Sequence, residues 1–494
     1  MSARERSPRN VSKAIAPNYA QQFLLPPALE DWVGPDHPAR FVREFVAQLD
    51  LRALGLASPE TTTGRPAYAE SLLLMIWLYG YMNRIRSARK LEAACREHMS
   101  LIWLGGMLTP DHNTLWRFWH ENNKALRQLF KQSVQVAVKV GAVGMVLQAL
   151  DGTKIQAVAS GHTAWTKEHM TKLLAELDKQ LDIAEANIAK EGPTESQSGY
   201  RLPESVAEKE ALREAVKKGL EQLEQSGVGH YHRHEPEAQR MQCEGKNRFG
   251  YNAQTVVDKE SGIVVAQEVV TQPNDIGQLV PMVEIAQELT ASKASVTTAD
   301  SGYGAGADIA DAEGKGLDVT VLPMGEAKKD EPYHAANFVY NAAAQTVTCP
   351  RGEKLEFQHK RSKNGVIVET YRCRCTSCPV REQCSKDPRG REYTAWPHTP
   401  AVQKMRAKVK TPEGRGQLSL RGQVVERYFA QVKEQDGFRR WTFRGLEGVR
   451  TQWAMICCSI NLRVLMKSWR KKQESLSEAF QKVRSEMKTE MKVA

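Results

Sequence analysis

The stretch Met145-Val-Leu-Gln-Ala-Leu150-Asp151-Gly-Thr-Lys154 decides how this chain is read. A short apolar run leads into an acidic residue and then a glycine. The pattern predicts a β-strand that ends at Asp151. Ser295 to Ala299, followed by Asp300-Ser-Gly-Tyr303, repeats it. A third acid, Glu426, closes Arg421-Gly-Gln-Val-Val-Glu426, a segment with helical spacing, and Lys433 follows. Two strand-end carboxylates and one helical carboxylate can converge on a pair of divalent cations. Such oxygen ligands select Mg²⁺ or Mn²⁺. Two ions together suit phosphodiester chemistry, one activating a water or 3′ hydroxyl and the other neutralising the leaving oxygen. Asp151 would bridge the ions, with Asp300 and Glu426 on either side. Any one of these acids alone reads as a surface charge; the three contexts together carry the argument. Lys433 lies about two helical turns beyond Glu426, nearly on its face, where it would meet a phosphate. Arg421 would face elsewhere in a continuous helix.

Working outward, Phe249 to Val257 and Ile263 to Val270 predict a hairpin around Asp258 to Gly262. A helix from about Gly277 to Leu289 leads to the Asp300 strand, and Asp318 to Leu322 predicts another strand. This order describes a mixed sheet with an α/β crossover, the layout of a ribonuclease H-like core. Between Thr163 and Gly229 two apolar stripes predict an inserted helical hairpin. One includes Met170, Leu173 and Leu177, the other Leu212, Val216 and Leu223.

Pro38 to Gly144 has helical periodicity throughout. Thr109-Pro-Asp-His-Asn113 predicts a helix start with the proline in its first turn, and the helix carries Trp116 and Arg117. It fits the recognition helix of a helix-turn-helix unit, and equally an ordinary helical bundle. Arg84, Arg86, Arg89 and Lys90 cluster nearby. The formal net charge of +11 over 494 residues suits a polyanionic partner. No apolar run approaches the ~20 residues a membrane span needs. The N-terminus has no apolar signal segment after its charges, so a cytoplasmic, nucleoid-associated protein is expected.

Five of the nine cysteines fall between Cys349 and Cys384. Cys375-Thr-Ser-Cys378, Cys384 and Cys349 have the spacing of a four-thiolate structural Zn²⁺ site, with Cys373 a competitor for the first position. The surrounding residues 330–400 hold few large apolar side chains, so a bound metal would help order them. The other reading is a set of reduced thiols. His230, His232 and His234 read as solvated, and Cys457 and Cys458 as core.

Taken together, the motifs resemble the DDE transposases of bacterial insertion sequences, in a subgroup with an N-terminal helical domain and a cysteine-bearing insertion. The resemblance rests on Phe23-Leu-Leu-Pro-Pro27, Gly64-Arg-Pro-Ala-Tyr68, Leu150 to Lys154, Gly250-Tyr-Asn-Ala-Gln254, Asn274-Asp-Ile-Gly-Gln278, Ala299 to Tyr303, Val425 to Phe429 with Lys433, and Phe443 to Arg450. It implies cleavage at the ends of a mobile element and joining of the free 3′ hydroxyl to target DNA, by a homodimer on DNA. Asp151, Asp300 and Glu426 match the family triad, and Lys433 the lysine that follows it. The basic residues expected on DNA are Arg84, Arg86, Arg89, Lys90, Arg117, Lys154, Arg421 and Lys433. Leu418 stands where the family often has Tyr, and Ile460 where it often has His. The implied layout is a mobile arm (1–30), a helical DNA-binding domain (31–144), a core (145–162, 230–329) holding the hairpin (163–229), a cysteine-rich zinc-ribbon-like insertion (330–400), C-terminal core helices (401–468) and a charged tail (469–494). A ribonuclease H-like nuclease without strand transfer, or a DNA-binding regulator, fits the same residues.

Overall fold

The computed structural model describes residues 28–56, 67–159, 164–188, 205–226, 229–326, 331–373, 375 and 377–470. Nearly all of the expected arm and tail, and the motifs at Phe23 and at Gly64 to Pro66, lie outside these residues. The protein mixes helices with sheet.

Six helices open the described chain: α1 (Pro38–Gln48), α2 (Glu70–Met82), α3 (Ala88–Glu97), α4 (Met99–Leu104), α5 (His112–Glu121) and α6 (Asn123–Lys139). Asp111 caps α5, accepting from Asn113 N at 2.9 Å and Thr114 N at 3.0 Å. Pro110 therefore precedes the cap rather than sitting in the first turn, because the aspartate satisfies the free N–H groups better. α2 is apolar on every face and buried from Leu72 to Met82 except Met75, as expected of a helix at the centre of a bundle.

Next come β1 (Leu147–Gln156), β2 (Ala164–Thr166), α7 (Lys167–Ile188) and α8 (Val206–Ser226), then β3 (His230–His232), β4 (Gln239–Cys243), β5 (Lys246–Asp258) and β6 (Val264–Val270). α7 and α8 pack through Met170, Leu173, Leu177, Leu212, Val216 and Leu223, with Tyr231 of β3. His232 is buried, at 3% exposure, and its ring meets Phe249 edge-on. The expectation of a solvated histidine run fails there, because β3 pairs with β2.

α9 (Leu279–Thr290), β7 (Val296–Ala299), α10 (Gly306–Gly314) and β8 (Val319–Val321) complete the main sheet. β1 lies antiparallel to β5 and parallel to β7, and β7 is parallel to β8; β4 and β6 both pair with β5. This is a mixed sheet with α/β crossovers. Asp151 does not end its strand as expected. β7 stops at Ala299, opposite Leu150, whereas β5 continues to pair with β1 as far as Gln156. Asp151 thus stands where the parallel neighbour runs out.

The cysteine-bearing segment forms its own antiparallel sheet: β9 (Val339–Asn341), β10 (Thr346–Thr348), β11 (Lys354–Lys363) and β12 (Val366–Arg372), then the short helix α11 (Arg381–Cys384) and β13 (Glu392–Ala395). Phe338, Val347, Leu355, Tyr371 and Tyr393 give it a small core. The few large side chains of this segment are thus gathered in one place.

Three helices follow: α12 (Thr399–Lys410), α13 (Pro412–Ala430), which runs into a π-helical turn (Gln431–Gln435), and α14 (Gly445–Trp469). α14 is buried along most of its length and packs against α6, α2 and β6. Within it, Asn461 donates to Val264 O at 2.9 Å and to Ser133 Oγ at 3.2 Å, and accepts from Val264 N at 2.8 Å. One hydrophobic core therefore runs from α1 through the main sheet to α14. Leu418 packs against this core, Ile460 lies inside it, and Cys457 and Cys458 are fully buried.

Candidate active site

Asp151 and Asp300 come together because β1 and β7 run parallel in adjacent positions, with Leu150 opposite Ala299. Asp300 is exposed at the strand end. It caps the 3-10 turn Ser301–Tyr303, accepting from Ser301 N and, at 3.1 Å, from Ser301 Oγ. The Asp151 side chain is 22% exposed. Burial pushes its carboxyl up to about 6, and the charges of Asp300 and Asp275 push the same way; the Gly152 N–H at 2.8 Å and Arg421 oppose them. The result is a carboxylate pair in need of a cation.

Arg421 provides one. Its Nη1 lies 3.0 Å from Asp151 Oδ2. The arginine was expected to face elsewhere. It reaches Asp151 because α13 lies across β1 and β7, so its long side chain extends to the strand. Glu426, on the same helix, is exposed, and its Oε1 lies beside Gly422, where an added Cβ would come within 3.3 Å. Among the described residues, no three His, Cys, Asp or Glu side chains are drawn together closely enough to hold a metal ion. The carboxylates nevertheless suit a hard divalent cation: oxygen donors of like charge, one of them already balanced by a guanidinium.

Lys433 sits in the π-helical turn, so the two-turn spacing from Glu426 does not hold as an α-helix would give it. It is half-buried. Desolvation lowers its pKa, with Arg439 acting the same way, while Glu244, Cys243 and Asp151 raise it. Lys154 pairs with Asp275 at 3.1 Å.

Asp275 was not foreseen as a site residue, nor were Asn252, Gln254 and Tyr303. Asn252 and Gln254 are fully buried on β5 and donate to Asp275 Oδ1 at 2.7 and 2.8 Å. The Tyr303 hydroxyl donates to Gln254 Oε1. The available signal was polar residues placed within an otherwise apolar strand.

The basic cluster divides. Asp436 is completely buried and accepts from Arg463 at 3.0 and 2.9 Å, with Arg84 at 3.3 Å. Arg86 donates to the Asp436 carbonyl at 2.9 Å and lies over the Phe438 ring. These two arginines join the N-terminal helices to the turn after Lys433. Arg89 and Lys90, on α3, and Arg117, on α5 beside the exposed Trp116, face solvent.

Cys349, Cys373, Cys375, Cys378 and Cys384 line one pocket with Arg381 and Arg391. Burial pushes the Cys373 thiol up to about 12 and raises that of Cys384.

Two segments of the chain match known families. Residues 27–121 match a transposase domain (DUF772), and residues 348–466 match a transposase DDE domain. Two separate segments of the chain are thus similar to transposase domains. Such matches are typical of bacterial insertion-sequence transposases, and the DDE description implies divalent-metal use and DNA as partner. The transposase DDE match takes in Arg421, Glu426 and Lys433, and the N-terminal match takes in Arg84 to Arg117; Asp151 and Asp300 lie between the two. No curated protein matches the chain. Among the described residues, no helix is long and apolar enough to cross a membrane.

Proposed function

We propose that this protein is a transposase that binds the ends of its own mobile element, cleaves them, and joins the 3′-hydroxyl ends to target DNA. The observation that carries the reading is that parallel β1 and β7 bring Asp151 and Asp300 side by side beneath the helix that bears Glu426, and that this helix, though not the two aspartates, falls within the transposase DDE match. The strand order β6-β5-β1-β7-β8, with β5 reversed, supports a ribonuclease H-like core. Asp151, Asp300 and Glu426 would hold Mg²⁺ or Mn²⁺, which supplies charge neutralisation and an activated oxygen nucleophile. Arg421 exchanges its pairing with Asp151 for a phosphate of the bound strand. Lys433, in the π-helical turn that follows the same helix, neutralises the backbone next to the cut. α3 and α5 engage the element ends through Arg89, Lys90 and Arg117, and two copies act together in the bacterial cytoplasm. Cys349, Cys375, Cys378 and Cys384 would hold a structural Zn²⁺, with Cys373 the competitor for one position.

The test supplies a pre-cleaved element end with a free 3′ hydroxyl and a plasmid target. Joining is expected. Hydrolysis without joining would make the protein a nuclease of the same fold, and end binding without either would make it a regulator. Asp300→Asn and Glu426→Gln should abolish cleavage yet leave footprints on the ends intact. Cleavage at the parental rate in either variant removes that residue from the site.

A further inference from the structure

A fourth carboxylate stands at the centre described above, and none of the proposed chemistry uses it. Asp275 lies in the turn between β6 and α9, and its side chain is 14% exposed. Its Oδ1 accepts from Asn252 Nδ2 and Gln254 Nε2, and its Oδ2 from Lys154 Nζ. The turn is held in its own right, since Gly277 N donates to Asp308 Oδ2 at 2.7 Å. Both oxygens are therefore used and the charge is balanced, so Asp275 could act as a ligand only by giving up these partners.

Its contacts reach the backbone beside both aspartates. A Cβ added at Gly152 would stand 2.9 Å from Asp275 Oδ1, and one at Gly302 3.2 Å from its Oδ2. Gly152 follows Asp151 directly, and Gly302 lies two residues past Asp300. Gln254 extends the brace: it accepts from the Tyr303 hydroxyl, and its carbonyl accepts from Trp453 Nε1 at 3.2 Å. Asp151 and Asp300 repel one another when no cation lies between them. Their separation must then be imposed by groups that do not themselves bind the cation. Glycine at 152 and 302 is what allows the carboxylate to wedge in so closely.

We propose that Asp275 is a positioning residue that sets the spacing of Asp151 and Asp300 for a divalent cation, pinning the chain at Gly152 and Gly302; this rests on the metal-site reading given above. Outer partners that orient metal ligands typically change affinity by roughly 10–100-fold when removed.

The experiment is Mn²⁺ titration of the full-length protein without DNA, followed by calorimetry and by the electron paramagnetic resonance of free Mn²⁺, with a thermal melt of every variant. Asp275→Asn keeps the shape and an oxygen for Asn252 and Gln254, but sets an NH₂ against the Lys154 ammonium. It should weaken Mn²⁺ binding by about 10–100-fold without removing a site. Adding Lys154→Gln offers that NH₂ an acceptor and should recover most of the loss. If Asp275→Asn does not fold, Gly302→Ala replaces it, keeping every charge while pressing a methyl on the carboxylate, and Mn²⁺ should again bind more weakly. Unchanged affinity in a folded variant overturns the proposal. So does loss of one Mn²⁺ equivalent with the remainder unchanged, which would make Asp275 a ligand. The metal reading is checked first and separately: if Asp151→Asn leaves Mn²⁺ binding by otherwise parental protein intact, that reading fails and this proposal with it.

Discussion

Asp151→Asn should make the metal-free protein more stable while ending its chemistry. Burial and the neighbouring acids lift the Asp151 carboxyl from 3.8 to about 6. Each tenfold change in proton affinity is worth about 1.4 kcal/mol, so at about pH 7.5 the charged carboxylate costs the fold on the order of 3 kcal/mol. The sign follows from proton counting. Between 3.8 and about 6 the folded chain holds the Asp151 proton and the unfolded chain does not, so stability falls as pH rises through that window. Asparagine removes the charge and still accepts from Gly152 N–H, but it strands Arg421, which is only 20% exposed on its side chain. A net gain of about 1–2 kcal/mol remains, or roughly 1–2 °C in Tm. Melts in EDTA at about pH 7.5 and about pH 5 should show a gap that shrinks by about 1.4 kcal/mol, to nearly nothing, at the lower pH, because the parental carboxyl is then mostly protonated. Added Mn²⁺ should raise the parental Tm and leave the variant unmoved. A variant that melts below the parent at about pH 7.5, or a gap unchanged between the two pH values, would refute the argument that this carboxylate is held ready for a cation.

Other outcomes follow from the same structure. Asp436→Ala removes the buried carboxylate shared by Arg84 and Arg463 and should cost about 3–5 kcal/mol in urea unfolding; a loss under about 1 kcal/mol would mean the cluster is solvated. Arg117→Ala should leave stability unchanged and lower the salt dependence of end binding by about one phosphate contact, whereas Arg86→Ala should act mainly on stability. Equal salt slopes for Arg117→Ala and the parent would take α5 off the DNA. Cys378→Ser should lower bound zinc and expose the 330–400 segment to protease; substoichiometric zinc in the parent, purified without chelator and protease-resistant, would leave the cysteines as plain thiols.

Much of this was legible along the chain. Short apolar runs and turn residues located β1, β5, β6, β7 and β8 and the positions of Asp151 and Asp300, because strand burial leaves a local pattern, whereas β2, β3 and β4 went unforeseen. The two stripes at Met170 and Leu212 located α7 and α8 for the same reason. The small sheet β9 to β13 escaped notice, since β11 is almost entirely exposed and carries no alternation. The sequence alone could not say which charges are spent internally. Arg84 and Arg86 read like Arg89 and Lys90, and only folding brings Asp436 to the first pair, some 350 positions away along the chain. Arg421 turned out to serve Asp151 because of how α13 crosses the strands, not because of its spacing from Glu426. Asp275, in a motif quoted without a role, gained its place from Lys154, Asn252 and Gln254, all distant in sequence. Local periodicity is written in neighbouring residues. Pairing between charges depends on which strands become neighbours, and that is decided only when the whole sheet and its covering helices close around one core.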